Sequence, residues 1–275
     1  MAAIAAAQST ISASAKQAYA ANAGWIDWRT SAADGVVVTQ TCLSGKAYAA
    51  NFGWINLGNG APTNGHSYSN TSAGDFGVNL ADSGALTGYA YGANVGWIVF
   101  EQTQGQPRLD FLTGDFSGYA YSANLGWIAL ATPVSTLATT SVAAPDSDGD
   151  GIADAYEMLH CGTLSVMNAT SNLDGDPASD LQEYLSNTDP NDPNSYLRIT
   201  HQAYTNPPDQ VTLTFTTSGN RLYSIEHDTD LAGPWTDSGL GRFAPDAGAT
   251  TLRTIPFTAG NHRFFRVAAH LPLQP

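Results

Sequence analysis

Asp146 opens the run DSDGDGIADAYE, in which carboxylates fall at the first, third, fifth, ninth and twelfth places: Asp146, Asp148, Asp150, Asp154 and Glu157. Gly151 stands sixth and the main-chain carbonyl of Ile152 seventh. Calcium takes roughly six to eight oxygen ligands, and this spacing wraps a loop around one ion, with a glycine at the sharp turn and a last Glu able to bind through both oxygens. A second run, NLDGDPASDLQE, places Asn172, Asp174, Asp176, Asp180 and Glu183 at the same positions, with the Ala178 carbonyl seventh. Pro177 replaces the turn glycine and Asn172 replaces an Asp, so this loop is expected to be weaker or differently shaped. Two such loops predict two bound Ca2+ ions.

The charge distribution agrees with that reading. The 275 residues include 24 acids and 10 bases, for a formal charge of −14. Residues 141–197 hold 11 of the acids and no Lys or Arg, whereas the stretches on either side are nearly balanced. Carboxylates gathered this way repel one another unless a cation sits among them. No stretch clusters Lys and Arg as phosphate binding requires, so nucleic acid is not an expected partner. No apolar run is long enough to span a membrane as a helix. His66, His160, His201, His227, His262 and His270 show no zinc-site spacing, and there is no nucleophile elbow or phosphate loop. The chain reads as non-catalytic. Cys42 and Cys161 leave a disulfide and two thiols equally open.

The elements that must carry these loops begin with a repeat. AYAANAGWIDW from Ala18, AYAANFGWINL from Ala47, GYAYGANVGWIVF from Gly88 and GYAYSANLGWIAL from Gly118 line up, with Trp25, Trp54, Trp97 and Trp127 spaced 29, 43 and 30 apart. A fixed period with one insertion signals a repeat architecture. The insertion falls in the polar stretch from Gly58 to Asp75, which reads as a long loop. Within a unit, Tyr-Ala-Tyr alternation, an Ala-Asn-x-Gly break and a Trp-Ile run predict a strand, a turn and a strand. GVVVTQ from Gly35, FGVNLA from Phe76 and RLDFLT from Arg108 add further short strands, giving about three per unit. Such units must stack, as a solenoid, a propeller-like ring or a pair of packed sheets. Trp and Ile are both read as core, Asn22, Asn51, Asn94 and Asn124 as turn formers, and Tyr89, Tyr91, Tyr119 and Tyr121 as an exposed ladder able to stack on sugar rings.

Short helices are expected after each acidic loop, over Ala155–Leu159 and Leu181–Leu185. From Arg198, the runs LRITHQAY, QVTLTFTT, RLYSIEHD, TTLRTIPF and HRFFRVAAHL alternate between Pro, Gly and Asp turns and predict a small β-sandwich. The expected organisation is mainly β. An antiparallel β-repeat domain covers 1–140, a calcium-loop and helix module 141–197, and the sandwich 198–275.

Three resemblances accompany these readings. The GYAYxxNxGWI units resemble repeats of exported bacterial surface proteins. Asp146 to Ile199 resembles thrombospondin type 3-like or dockerin-like calcium modules, which implies a structural, extracellular site. RLYSIEHDTDLAGPWTD with HRFFRV resembles the immunoglobulin- or fibronectin-like domains that follow such modules. Together they imply a secreted, calcium-stabilised structural protein of the cell surface, acting by adhesion or self-assembly with copies of itself or other surface proteins. The alternative is a glycan-binding module that takes polysaccharide on exposed Tyr and Trp.

Overall fold

Each of the four Trp-Ile hairpins turns through Ala-Asn-x and then a glycine, and the fold grows from that turn. Gly24, Gly53, Gly96 and Gly126 have φ between 73° and 89°, a left-handed conformation that costs glycine little. The computed structural model describes residues 8–206, 208–256 and 263–274. In it the hairpins pair β1 (Ile11–Ala20) with β2 (Gly24–Asp27), β3 (Cys42–Ala49) with β4 (Gly53–Gly58), β5 (Leu86–Gly92) with β6 (Gly96–Phe100), and β7 (Tyr119–Ser122) with β8 (Gly126–Ala129). Neighbouring hairpins pair in turn, and β8 returns to β1 through Tyr19 opposite Ala129 and Ala20 opposite Ile128. The result is an eight-stranded antiparallel barrel. It replaces the solenoid, propeller and packed-sheet expectations.

Two strands per unit, not three, enter the ring. Val36–Val38 pairs with β3, and Val78–Leu80 pairs with β3 and β5, both off the ring. Arg108–Leu109 pairs separately with Phe116–Ser117. Leu137–Thr139 lies against the first part of β1.

The register sets every hairpin alike. Ala18 faces Ile26, Ala47 faces Ile55, Ala90 faces Ile98 and Ala120 faces Ile128, and all eight side chains are buried. Trp28, Leu57, Phe100 and Leu130 form the next buried level. An eight-stranded barrel has an interior only wide enough for side chains, and pairing a small with a branched residue fills it. The void left inside is about 20 Å³ and is lined by apolar side chains. That is room for about one water, so the barrel encloses a core and not a channel.

The tryptophans are not part of that core. Trp25, Trp54, Trp97 and Trp127 are 38–49% exposed on the outer face, each opposite the tyrosine of its own hairpin, with ring centroids 4.9–5.0 Å apart. Strand alternation lets only one of Trp and Ile point inward, and four indoles would overfill so narrow a barrel.

The turn asparagines join hairpin to hairpin. The side-chain amides of Asn51, Asn94 and Asn124 donate to the carbonyls of Ala23, Phe52 and Val95, each in the preceding turn, at 2.8–3.0 Å. Asn22 stands beside Gly126, where a Cβ would come 3.1 Å from its amide nitrogen. Asn124→Ala is expected to lower stability by about 1 kcal/mol, read from denaturant midpoints. No change would mean that strand pairing alone holds the ring.

The chain divides into two compact units. One runs to Asp148 and takes in Ala153–Leu164 and Leu273, and the other comprises Gly149–Ile152 and Ser165–Pro272. Two helices follow the acidic loops where the sequence places them: α1 (Asp154–His160) and α2 (Asp180–Ser186). The carboxy-terminal strands are β9 (Ile199–Thr205), β10 (Gln210–Thr216), β11 (Leu222–Asp228), β12 (Thr236–Asp237), β13 (Thr250–Pro256) and β14 (Phe264–His270). They form two three-stranded sheets, β9-β10-β13 and β12-β11-β14. Val211, Leu213, Phe215, Tyr223, Ile225 and Ile255 build one apolar cluster from both sheets.

Candidate metal centre

Both acidic loops are organised by the same main-chain contacts. In the first, Asp150 Oδ1 accepts from the Ile152 amide at 2.8 Å; in the second, Asp176 Oδ1 accepts from the Ala178 amide at 2.6 Å. The fourth position is a glycine with positive φ in each, Gly149 at 78° and Gly175 at 79°. Gly151 adds a φ of 97° at the sixth place, where the second loop carries Pro177. The second loop thus turns on Gly175, one of the two places where the first does.

The aspartate at the ninth position closes its loop. Asp154 accepts from the Ser147 amide at 2.7 Å and the Ser147 hydroxyl at 2.6 Å. Asp180 accepts from the Leu173 amide at 3.0 Å and from the Ser171 hydroxyl. Asn172 is drawn into the frame as well: its Oδ1 accepts from the Gly175 amide and its Nδ2 donates to the Asp176 carbonyl, both at 2.7 Å. These three side chains shape the loops. Ser171 lies just outside the repeated pattern, and spacing alone did not single it out.

What converges is a smaller set. Asp146, Asp148 and Asp150 bring one oxygen each within 4.8 Å of one another, and so do Asp174, Asp176 and Glu183. The second set lies wholly within one unit and carries the stronger signal. Glu183 is fully buried. Its Oε1 is 3.4 Å from the Thr188 hydroxyl, while its Oε2, with Asp174 Oδ2 and Asp176 Oδ2, is buried without a hydrogen-bond partner among the described residues. Burial, then the Asp176, Asp174 and Asp180 carboxylates, push Glu183 up to about 8. Buried acceptors are normally satisfied, and three carboxylate oxygens that lack donors form a site shaped for a cation. The donors are oxygen only, which suits a hard ion such as Ca2+ and disfavours zinc. Asp174, Asp176 and Glu183 would hold such an ion.

α2 is tied down at both ends. Ser179 and Gln182 form a reciprocal capping box at its start. At its end the buried Arg221 donates to the carbonyls of Tyr184 and Leu185 at 3.0 and 2.9 Å, placing a cation where the helix dipole is negative. Arg221 joins the helix bearing Glu183 to the neighbouring sheet, a role its place in an alternating strand did not reveal. Arg221→Met should cost about 1–3 kcal/mol by leaving buried carbonyls unsatisfied. Arg221→Lys should recover little, because an ammonium cannot span both acceptors as the fork does. Equal stability of all three proteins in urea would refute this role.

Tyr89, Tyr91, Tyr119 and Tyr121 lie on the outer face of the barrel, 39–48% exposed, as the sequence reading expects. Cys42 and Cys161 are not joined in a disulfide. No known protein family, curated protein or solved structure matches this chain.

Proposed function

We propose that this protein is a calcium-stabilised, non-catalytic extracellular structural protein that acts by adhesion at a cell surface or matrix. The observation that carries the reading is the buried Glu183 beside Asp174 and Asp176, three carboxylates with oxygens that no donor in the loop satisfies. A calcium ion would supply the missing charge and tie the second acidic loop to α2. Those sheets are best read as a small β-sandwich of the immunoglobulin or fibronectin kind. Extracellular calcium modules work at roughly 0.1–1 mM, so even a modest loop is filled outside the cell and empty in the cytosol.

Closure of the barrel bears on the mode of action. Edge-to-edge self-assembly needs unpaired strands, and a closed ring has none to offer. The eight ring strands therefore offer no unpaired edge of their own, and the reading favours adhesion through the aromatic outer face. Titration calorimetry with CaCl2 tests the assignment: two ions per chain are expected, and one after Glu183→Gln. No binding at millimolar calcium, or two ions still bound by Glu183→Gln, would sink it.

A further inference from the structure

The barrel's outer face carries four Tyr-Trp pairs, and the third of them has the repeat's insertion beside it. The single insertion in the repeat, residues 58–75, rises next to the third hairpin. Residues 70–73 with Phe76, Tyr89 and Trp97 surround a cavity of about 430 Å³. Small-molecule sites commonly have this size.

The cavity is built in advance. Tyr68 is 3% exposed and its hydroxyl accepts from the Gly60 amide at 2.7 Å, anchoring the insertion. Asp75 accepts from the amides of Thr63 and Ser69 at 3.1 and 3.0 Å. Asn70, at φ 57°, accepts from the Gly77 amide at 3.0 Å. Gly58 and Gly77 leave the room that the Tyr68 side chain occupies, since a Cβ on either would fall within 2.5 Å of it. Trp97 is braced from three sides, with ring centroids of Phe76, Tyr89 and Tyr91 at 5.1, 5.9 and 4.9 Å. Its indole is still 49% exposed. A ring fixed before binding loses little entropy when a ligand stacks on it.

The lining chooses the ligand class. An exposed aromatic face takes the apolar C–H face of a sugar ring, and an amide and hydroxyls on the facing loop suit its hydroxyl groups. Among the described residues no charged side chain lines the cavity, which argues against an anionic ligand. We propose that this groove binds a neutral polysaccharide, with one pyranose ring stacked on Trp97 under the loop 70–73. The groove belongs to the barrel unit, so the proposal does not depend on the calcium loops.

Affinity electrophoresis through gels containing hydroxyethylcellulose, xylan, galactomannan or soluble starch tests it. At least one gel should retard the wild-type protein. Trp97→Ala should weaken that binding by about tenfold or more, about 1.4 kcal/mol. Trp54→Ala, the equivalent indole in a hairpin without the insertion, should leave binding unchanged. Ala73→Arg, on the exposed rim and away from the barrel core, should reproduce the loss without touching the Trp97 packing. Absence of retardation in all four gels would overturn the proposal. So would equal losses from Trp97→Ala and Trp54→Ala, or retention on immobilised polyproline or on alginate in place of the neutral gels.

Discussion

Calcium at about one hundred times its dissociation constant should raise the thermal midpoint of the carboxy-terminal unit by on the order of 10 °C. A ligand that binds only the folded state contributes RT ln(1 + [L]/Kd), about 2.7 kcal/mol at that excess, and a unit of this size gains roughly 4 °C per kcal/mol. Glu183 decides the size of the effect because it is fully buried and brings the twelfth-position carboxylate to Asp174 and Asp176. Glu183→Gln keeps the shape and removes the charge, so the calcium-induced rise attributable to this loop should disappear. In chelator the same substitution should be neutral or stabilising. The carboxyl it removes is held at about 8 by burial and by the neighbouring carboxylates, and repels them when ionised. The two proteins should therefore exchange order between calcium and EGTA in scanning calorimetry. Midpoints that ignore calcium, or a Glu183→Gln protein less stable in both buffers, would contradict a cation site.

Ile98→Ala should destabilise the barrel by about 2–5 kcal/mol, the usual cost of emptying a packed aliphatic position. Its neighbour Trp97, although larger, should cost only about 0.5–1.5 kcal/mol on replacement by Ala, because what is lost is edge contact with Tyr91, Tyr89 and Phe76 at a half-exposed surface. Ile98 is 2% exposed and stands opposite Ala90 inside the ring. The inversion of the ordinary size ranking is the diagnostic. Urea midpoints that place Trp97→Ala well below Ile98→Ala would mean that the strands face the other way.

Much of this was legible in the residues. The hairpin turns were readable because Ala-Asn-x-Gly leaves few backbone choices, and Gly96 adopts the positive φ that the pattern demands. The helix α2 follows its acidic loop for an equally local reason, since Ser179 and Gln182 cap it from within one turn. What pairing does at long range was not readable. Nothing in GYAYSANLGWIAL says that β8 will return to β1, because closure depends on strand number, twist and tilt together. The inward choice of Ile over Trp follows only from closure, since either residue would suit the face of an open sheet.

The same division runs through the candidate sites. The acidic spacing by itself pointed to a cation-binding class, because carboxylates at alternate positions of a short loop repel one another unless a cation sits among them. Tertiary structure decided which of them converge: Asp174, Asp176 and Glu183 meet, while Asp154, Asp180 and Asn172 are consumed in holding the loops. Local spacing determines which atoms are near in the chain. Burial and the competition of main-chain donors determine which remain available to a ligand, and those are properties of the folded whole. The groove beside Trp97 is the extreme case: the sequence marked an insertion and a row of aromatics, and only the closed barrel brought the one to stand beside the other.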